Sequence, residues 1–121
     1  EAVQLVLTAL NHSGGLKGKV LSRRMKAARI EEILKVWVDI YGGRYEKISG
    51  RPGERCEEYL FGELELPFTT ETVYDEIPHY IISFNNKAEN PVQQTLSSSN
   101  TVQLSSDEIA ALLKNIPFEE I

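Results

Sequence analysis

The residues best suited to bind a charged ligand stand in one hexapeptide, Gly50-Arg51-Pro52-Gly53-Glu54-Arg55. Proline fixes its own φ and holds the preceding residue extended, and glycine lets backbone approach a ligand, so Arg51 would point in a repeatable direction. A guanidinium offers donors in a planar fork that matches phosphate oxygens. Glu54, three residues on, suits hydroxyl donors such as those of a ribose. The competing reading is a plain surface turn whose two charges solvate the end of a strand.

A second candidate is Arg23-Arg24-Met25-Lys26-Ala27-Ala28-Arg29. It follows an expected strand end, where open α/β sheets place ligands, and puts Arg23, Arg24 and Lys26 before a helix N-terminus, which favours anions. A solvated basic loop reads equally well, and Met25 suits packing more than contact. His12 and His79 are too isolated for a metal site, and Cys56, although next to Arg55, has no base beside it and reads as an inert thiol. The acids Glu57, Glu58, Glu63 and Glu65 read as a solvated edge. No Gly-x-Gly-x-x-Gly, P-loop or Tyr-x-x-x-Lys spacing occurs.

These side chains need elements to hold them. Val3, Leu5, Val6, Leu7 and Leu10 make an apolar face that stops at Asn11-His12-Ser13-Gly14-Gly15, which predicts a short helix. Residues 19–22 read as a buried strand, and Ala28 to Ile40 as the most regular helix, ended by Gly42-Gly43. Tyr45 to Ser49 reads as the next strand. Helix, strand, helix, strand predicts an α/β arrangement with partly parallel strands joined by a right-handed crossover. The run 56–65 fits a strand or a helical turn, and His79–Phe84 a strand. Residues 85–104 read as a loop or extended tail, and 105–116 as a terminal helix capped by Ser105 or Ser106 and closed by Pro117.

At 121 residues the chain suits a single domain, 1–121, with a modest core. Its 41% apolar and 26% charged content is ordinary for a globular protein. A net charge of −5 with scattered cations speaks against nucleic acid as a partner, so any anion site is local. The single Cys56 excludes an intrachain disulfide and fits a reducing compartment. The longest apolar stretch is far short of the roughly 20 residues that cross a bilayer, and no signal peptide precedes it, so a cytoplasmic setting away from membranes is expected. The chain opens without Met, which reads as a processed product or an excised piece.

EAVQLVLTAL, then MKAARIEEIL, then GRPGERCEEYL, then SSSNTVQLSSDEIAALL form an order of segments that resembles a known family. It is similar to the carboxyl-terminal, substrate-binding part of extended short-chain dehydrogenase/reductases, in the nucleotide-sugar 4,6-dehydratase and epimerase group of polysaccharide and capsule biosynthesis. The family's turn reads Arg-Pro-Gly-Glu-Lys followed by His-Glu-Glu. Here Arg55 stands for the Lys, and Cys56 and Glu57 replace an apolar residue and the His, which leaves the subgroup open.

The resemblance implies that Arg51 contacts the diphosphate of a UDP-sugar such as UDP-N-acetylglucosamine and that Glu54 approaches the ribose. Lys26 and Met25 would line the sugar-nucleotide site, and Asn100 and Thr101 match a late tail motif. Catalytic Tyr and Lys and the NAD(P) turn would lie in an amino-terminal Rossmann domain outside these residues. The chain alone would then hold no cofactor and be inactive, while the whole enzyme would oxidise sugar C4 with its nicotinamide. Apolar surface left uncovered would favour a homo-oligomer. The alternative is a non-catalytic interaction domain descended from that region, whose tail adds a strand to a partner's sheet edge.

Overall fold

The computed structural model describes residues 1–117, so the last residues of the 1–121 domain reading lie outside the described residues. In chain order the elements are α1 (Ala2–Asn11), α2 (Ser13–Leu16), β1 (Val20–Arg23), α3 (Ile30–Tyr41), β2 (Tyr59–Phe61), a 3-10 helix (Glu63–Phe68), β3 (Thr69–Tyr74), β4 (Ile77–Ile82), β5 (Leu96–Ser97) and α4 (Ser106–Lys114). The chain is a small mixed α/β protein that gathers into two compact units. The first comprises Glu1–Met25 and Glu57–Thr101, the second Lys26–Cys56 and Val102–Ile121, described as far as residue 117.

In the first unit β4 is the middle of a three-stranded antiparallel sheet, β1-β4-β3. Arg23 faces His79 across β1 and β4, and Thr69 faces Ile82 across β3 and β4. A second antiparallel pair, β2 with β5, sets Tyr59 opposite Ser97 and Phe61 opposite Leu96. Phe61, Tyr80, Ile82 and Leu96 are buried together, with Leu66, Phe68 and Val92 packed on them. The Phe61 and Tyr80 rings lie 4.8 Å apart in a tilted arrangement, within the range where aromatic pairs add to plain burial.

The expectation of partly parallel strands does not hold. Every pairing between strands is antiparallel, and the parallel contact among the described residues is a single bridge, Ala27 to Gln103. The crossover reading needed a strand at 45–49, and none forms there. All of these residues are exposed, Ile48 by 86%, and no neighbouring strand pairs with them. The neighbour of β1 is β4, antiparallel to it, and the β3–β4 hairpin adds the third strand on the other side of β4.

That hairpin turns on Asp75 and Glu76, both with positive φ, 52° and 64°. Positive φ at both central residues is the twist-matched hairpin turn, which costs a non-glycine residue roughly 1–2 kcal/mol. Glu76→Gly is therefore expected to stabilise the protein by about 0.5–1 kcal/mol after glycine's own entropy cost. Urea denaturation reads this directly, and an unchanged or lowered midpoint would contradict it.

In the second unit α3 packs on α4. Val36, Ile109 and Leu113 are buried, and Ala28, Ile33, Trp37, Ile40 and Leu104 pack around them. Helix α3 starts with Glu31 and Glu32 in its first turn and stops at Gly42, whose φ of 78° suits glycine. Helix α4 begins with a reciprocal cap: Glu108 N–H donates to Ser105 Oγ, and Ser105 N–H donates to Glu108 Oε1. Ala27 N–H donates to Val102 O and Leu104 N–H to Ala27 O, so the chain before α3 lies along the chain before α4.

Candidate functional site

Residues 51–54 form one closed turn in the second unit. Glu54 N–H donates to Arg51 O at 3.1 Å, Pro52 and Gly53 fill the middle, and Gly53 has a φ of 83°. Proline second and a positive-φ glycine third define a type II turn. The Glu54 side chain closes the turn again, since Oε2 accepts the Arg51 N–H at 2.8 Å. A Cβ at Gly50 would lie 2.8 Å from that same oxygen, so glycine there leaves the carboxylate its place.

This geometry divides the two charges. Glu54 has an oxygen committed to the backbone of its own turn, which makes it first a staple of Arg51. The Arg51 side chain is exposed, and its guanidinium makes no ion pair or hydrogen bond among the described residues. The pair therefore presents one cation on a backbone fixed by two hydrogen bonds.

Upstream, Lys47 Nζ lies 3.1 Å from Glu31 Oε1 and Tyr45 OH reaches the same oxygen at 3.5 Å. Lys47 holds the Glu31 carboxyl below its ordinary range through its hydrogen bond and charge. These contacts tie the start of the 45–55 segment to α3, which explains why Tyr45 and Lys47 are used as side-chain anchors rather than in a strand.

The basic stretch 23–29 is not one cluster. Met25 ends a segment of the first unit and Lys26 begins one of the second. Lys26 Nζ is 2.6 Å from Glu108 Oε2, so its charge is already paired, and it draws the Glu108 carboxyl below its ordinary range. Met25 is half exposed, and its carbonyl accepts from Thr101 Oγ1 at 2.7 Å. Arg24 donates to Tyr80 OH from Nε at 2.9 Å and Nη2 at 2.5 Å, and Glu71 lies 3.7 Å away. Burial raises the Tyr80 phenol and Arg24 pulls it back. Arg23 Nε is buried and has no hydrogen-bond partner among the described residues. The N-terminus of α3 faces its own acids, Glu31 and Glu32, rather than a ring of cations.

Sequence reasoning did not find the densest polar cluster, which lies in the first unit. Glu57 Oε2 accepts from Ser97 Oγ at 3.0 Å and from Ser99 Oγ, and Oε1 accepts from Tyr59 OH at 3.0 Å. Asn100 Oδ1 accepts Ser97 N–H at 2.7 Å, and its amide donates to Thr95 O at 2.7 Å. Glu58 N–H donates to Ser98 Oγ, and Ser98 N–H returns to Glu58 O at 2.8 Å. The serine-rich tail and the paired glutamates were each visible in the sequence. What was not visible is that one closes on the other. Asn100 and Thr101 therefore shape the tail, and Glu57 is a hydrogen-bond hub, not part of a solvated edge.

The histidines take structural places. His79 is buried with Nδ1 at 2.8 Å from Ile77 O, and Tyr74 stacks edge-on between it and His12. No group of three or more His, Cys, Asp or Glu side chains suited to a metal ion occurs among the described residues. Among the same residues no helix is long and apolar enough to cross a membrane. No family model matches the chain, and no curated protein matches it either.

Proposed function

We propose that this chain is the UDP-sugar-binding carboxyl-terminal portion of an NAD(P)-dependent nucleotide-sugar 4,6-dehydratase or epimerase of polysaccharide biosynthesis, inactive by itself. The observation that carries the reading is the Arg51 turn: an exposed guanidinium, without a partner among the described residues, on a backbone closed twice by Glu54. The closed turn fixes the backbone from which Arg51 projects, and the guanidinium fork can meet two phosphate oxygens at once. Glu54 sets that direction and keeps its other oxygen for a ribose hydroxyl. Lys26, already paired with Glu108, would have to exchange that carboxylate for phosphate, so its share is smaller than that of Arg51. The nicotinamide and the catalytic Tyr and Lys belong to the Rossmann domain of the whole enzyme, which the resemblance names as partner.

The first unit supports a partnered chain. Val3, Val6, Leu7 and Leu10 of α1 are 70, 59, 47 and 64% exposed and follow helical spacing along one face. Such a face favours association in water, either with the rest of an enzyme or between copies of the chain. It serves the alternative reading, a non-catalytic interaction domain, equally well. Within the tail that this alternative assigns to a partner, Leu96–Ser97 pairs with β2 of the same chain.

Calorimetric titration with UDP separates the two readings. Arg51→Ala is expected to weaken binding by roughly tenfold or more, the loss of a charge-assisted hydrogen-bond pair, and Arg51→Lys by a smaller factor because it keeps charge without the fork. Equal affinity in wild type and Arg51→Ala would overturn the assignment of Arg51.

A further inference from the structure

The Glu57 cluster carries an inference that does not depend on the reading of Arg51. Two serine hydroxyls and a tyrosine hydroxyl converge on this one carboxylate, and no cation pairs with it among the described residues. Each hydroxyl has one proton to give. With Glu57 ionised, its two oxygens can accept from all three hydroxyls, while Ser97 Oγ also lies 2.9 Å from Ser99 Oγ and accepts the Ser99 N–H. Protonating Glu57 removes its charge and with it the charge assistance of all three hydroxyl bonds, which loosens the grip of the carboxyl on Ser97 and Ser99.

The turn gripped by these hydroxyls is itself closely knit. Ser97 is buried, and its N–H is held by Asn100, while Asn100 and Thr101 N–H both donate to Ser97 O. Thr101 Oγ1 in turn holds Met25 O. Movement of Ser97 and Ser99 would therefore be felt along the whole 97–101 turn and at the start of β2, where Glu58 exchanges hydrogen bonds with Ser98.

We propose that Glu57 is a protonation-controlled latch that fixes the 97–101 turn to the start of β2, closed when the carboxylate is ionised and open when it is protonated. The turn itself offers no ionisable side chain to the latch, only Ser97, Ser98, Ser99, Asn100 and Thr101. From β2 and its approach come Glu58 and Tyr59, with Arg55 and Cys56 just upstream in the chain. Glu63, at the start of the 3-10 helix, acts on Tyr59. Ser99 is the largest cause that holds the Glu57 carboxyl below its ordinary range, ahead of Ser97 and Tyr59. A depressed folded value means that the contribution of Glu57 is complete above the ordinary glutamate range and lost as pH falls through the lower, folded value.

The test is an NMR pH titration of the full chain from about pH 7 to about pH 3, which spans the carboxylate range. The amide signals of Glu58 and of residues 97–101 are expected to move together with one midpoint below the ordinary glutamate value. Their hydrogen exchange, corrected for intrinsic rates, is expected to quicken by roughly tenfold as the local hydrogen bonds open. Glu57→Gln should show the open-state signals already at neutral pH. Ser99→Ala, which removes one hydroxyl and leaves the core intact, should move the midpoint upward toward the ordinary value. Flat amide signals in the wild type, or an unchanged midpoint in a folded Ser99→Ala, would overturn the latch. Core resonances of Phe61 and Leu96 that stay in place show that the change is local, and global unfolding at the same midpoint would overturn it as well.

Discussion

Phe61→Ala is expected to cost about 3–5 kcal/mol, a large share of the roughly 5–15 kcal/mol that holds a domain together. Phe61 is 3% exposed, its ring meets Tyr80, and its neighbours Ile82 and Leu96 come from different strands. Removing the ring leaves a cavity in a cluster to which β2, β4 and β5 all contribute side chains. β2 has three residues and β5 two, so the backbone bonds between that pair depend on this packing. Phe61→Leu refills most of the volume and is expected to cost under about 1.5 kcal/mol. Urea denaturation followed by circular dichroism checks both. A loss below about 1 kcal/mol for Phe61→Ala would mean that the cluster is not the core of its unit.

Ile109→Ala is expected to have the second largest effect, about 2–5 kcal/mol. Ile109 is 4% exposed and joins Val36 of α3 to Leu113 of α4. A helix of the length of α4 does not hold its shape alone in water, so it stands by packing and by its cap. Loss of Ile109 is expected to free both helices from each other. The single tryptophan, Trp37, packs against this cluster and reports the transition by fluorescence. A transition unmoved by Ile109→Ala would contradict the packing. Ser105→Ala offers a milder comparison at about 1 kcal/mol, through loss of the cap alone.

How far the sequence reveals this protein depends on where each signal resides. Helix α3 is legible because its apolar residues recur at helical spacing between paired acids and Gly42, and α4 because Ser105 and Glu108 stand three apart. Those signals are local. Strand β4 is legible from its apolar run, whereas β3, Thr-Thr-Glu-Thr-Val-Tyr, is polar on an edge and turns through Asp75-Glu76 without the glycine that marks such turns. Tyr45 to Ser49 has strand-like residues and no partner, and a strand exists only by pairing. The parallel reading failed with it.

The candidate site divides in the same way. Pro52 and Gly53 announce the turn, and Arg51 opens it. Glu54, expected at a ribose, gives its nearer oxygen to the Arg51 backbone. The partners of Lys26 and Glu57 lie far along the chain, at Glu108 and Ser97 to Ser99, and no local pattern encodes such pairs. A sequence shows which side chains could pair. The fold decides which do.

Under the proposed function, Arg51 and its turn bind the diphosphate of a nucleotide sugar. The most direct measurement is an NMR titration of the chain with UDP-N-acetylglucosamine, mapped residue by residue. Shifts are expected to centre on residues 50–55, with a smaller response at 26–29, and to disappear in Arg51→Ala. Saturating shifts that avoid residues 50–55, or a wild-type chain that shows none, would contradict it.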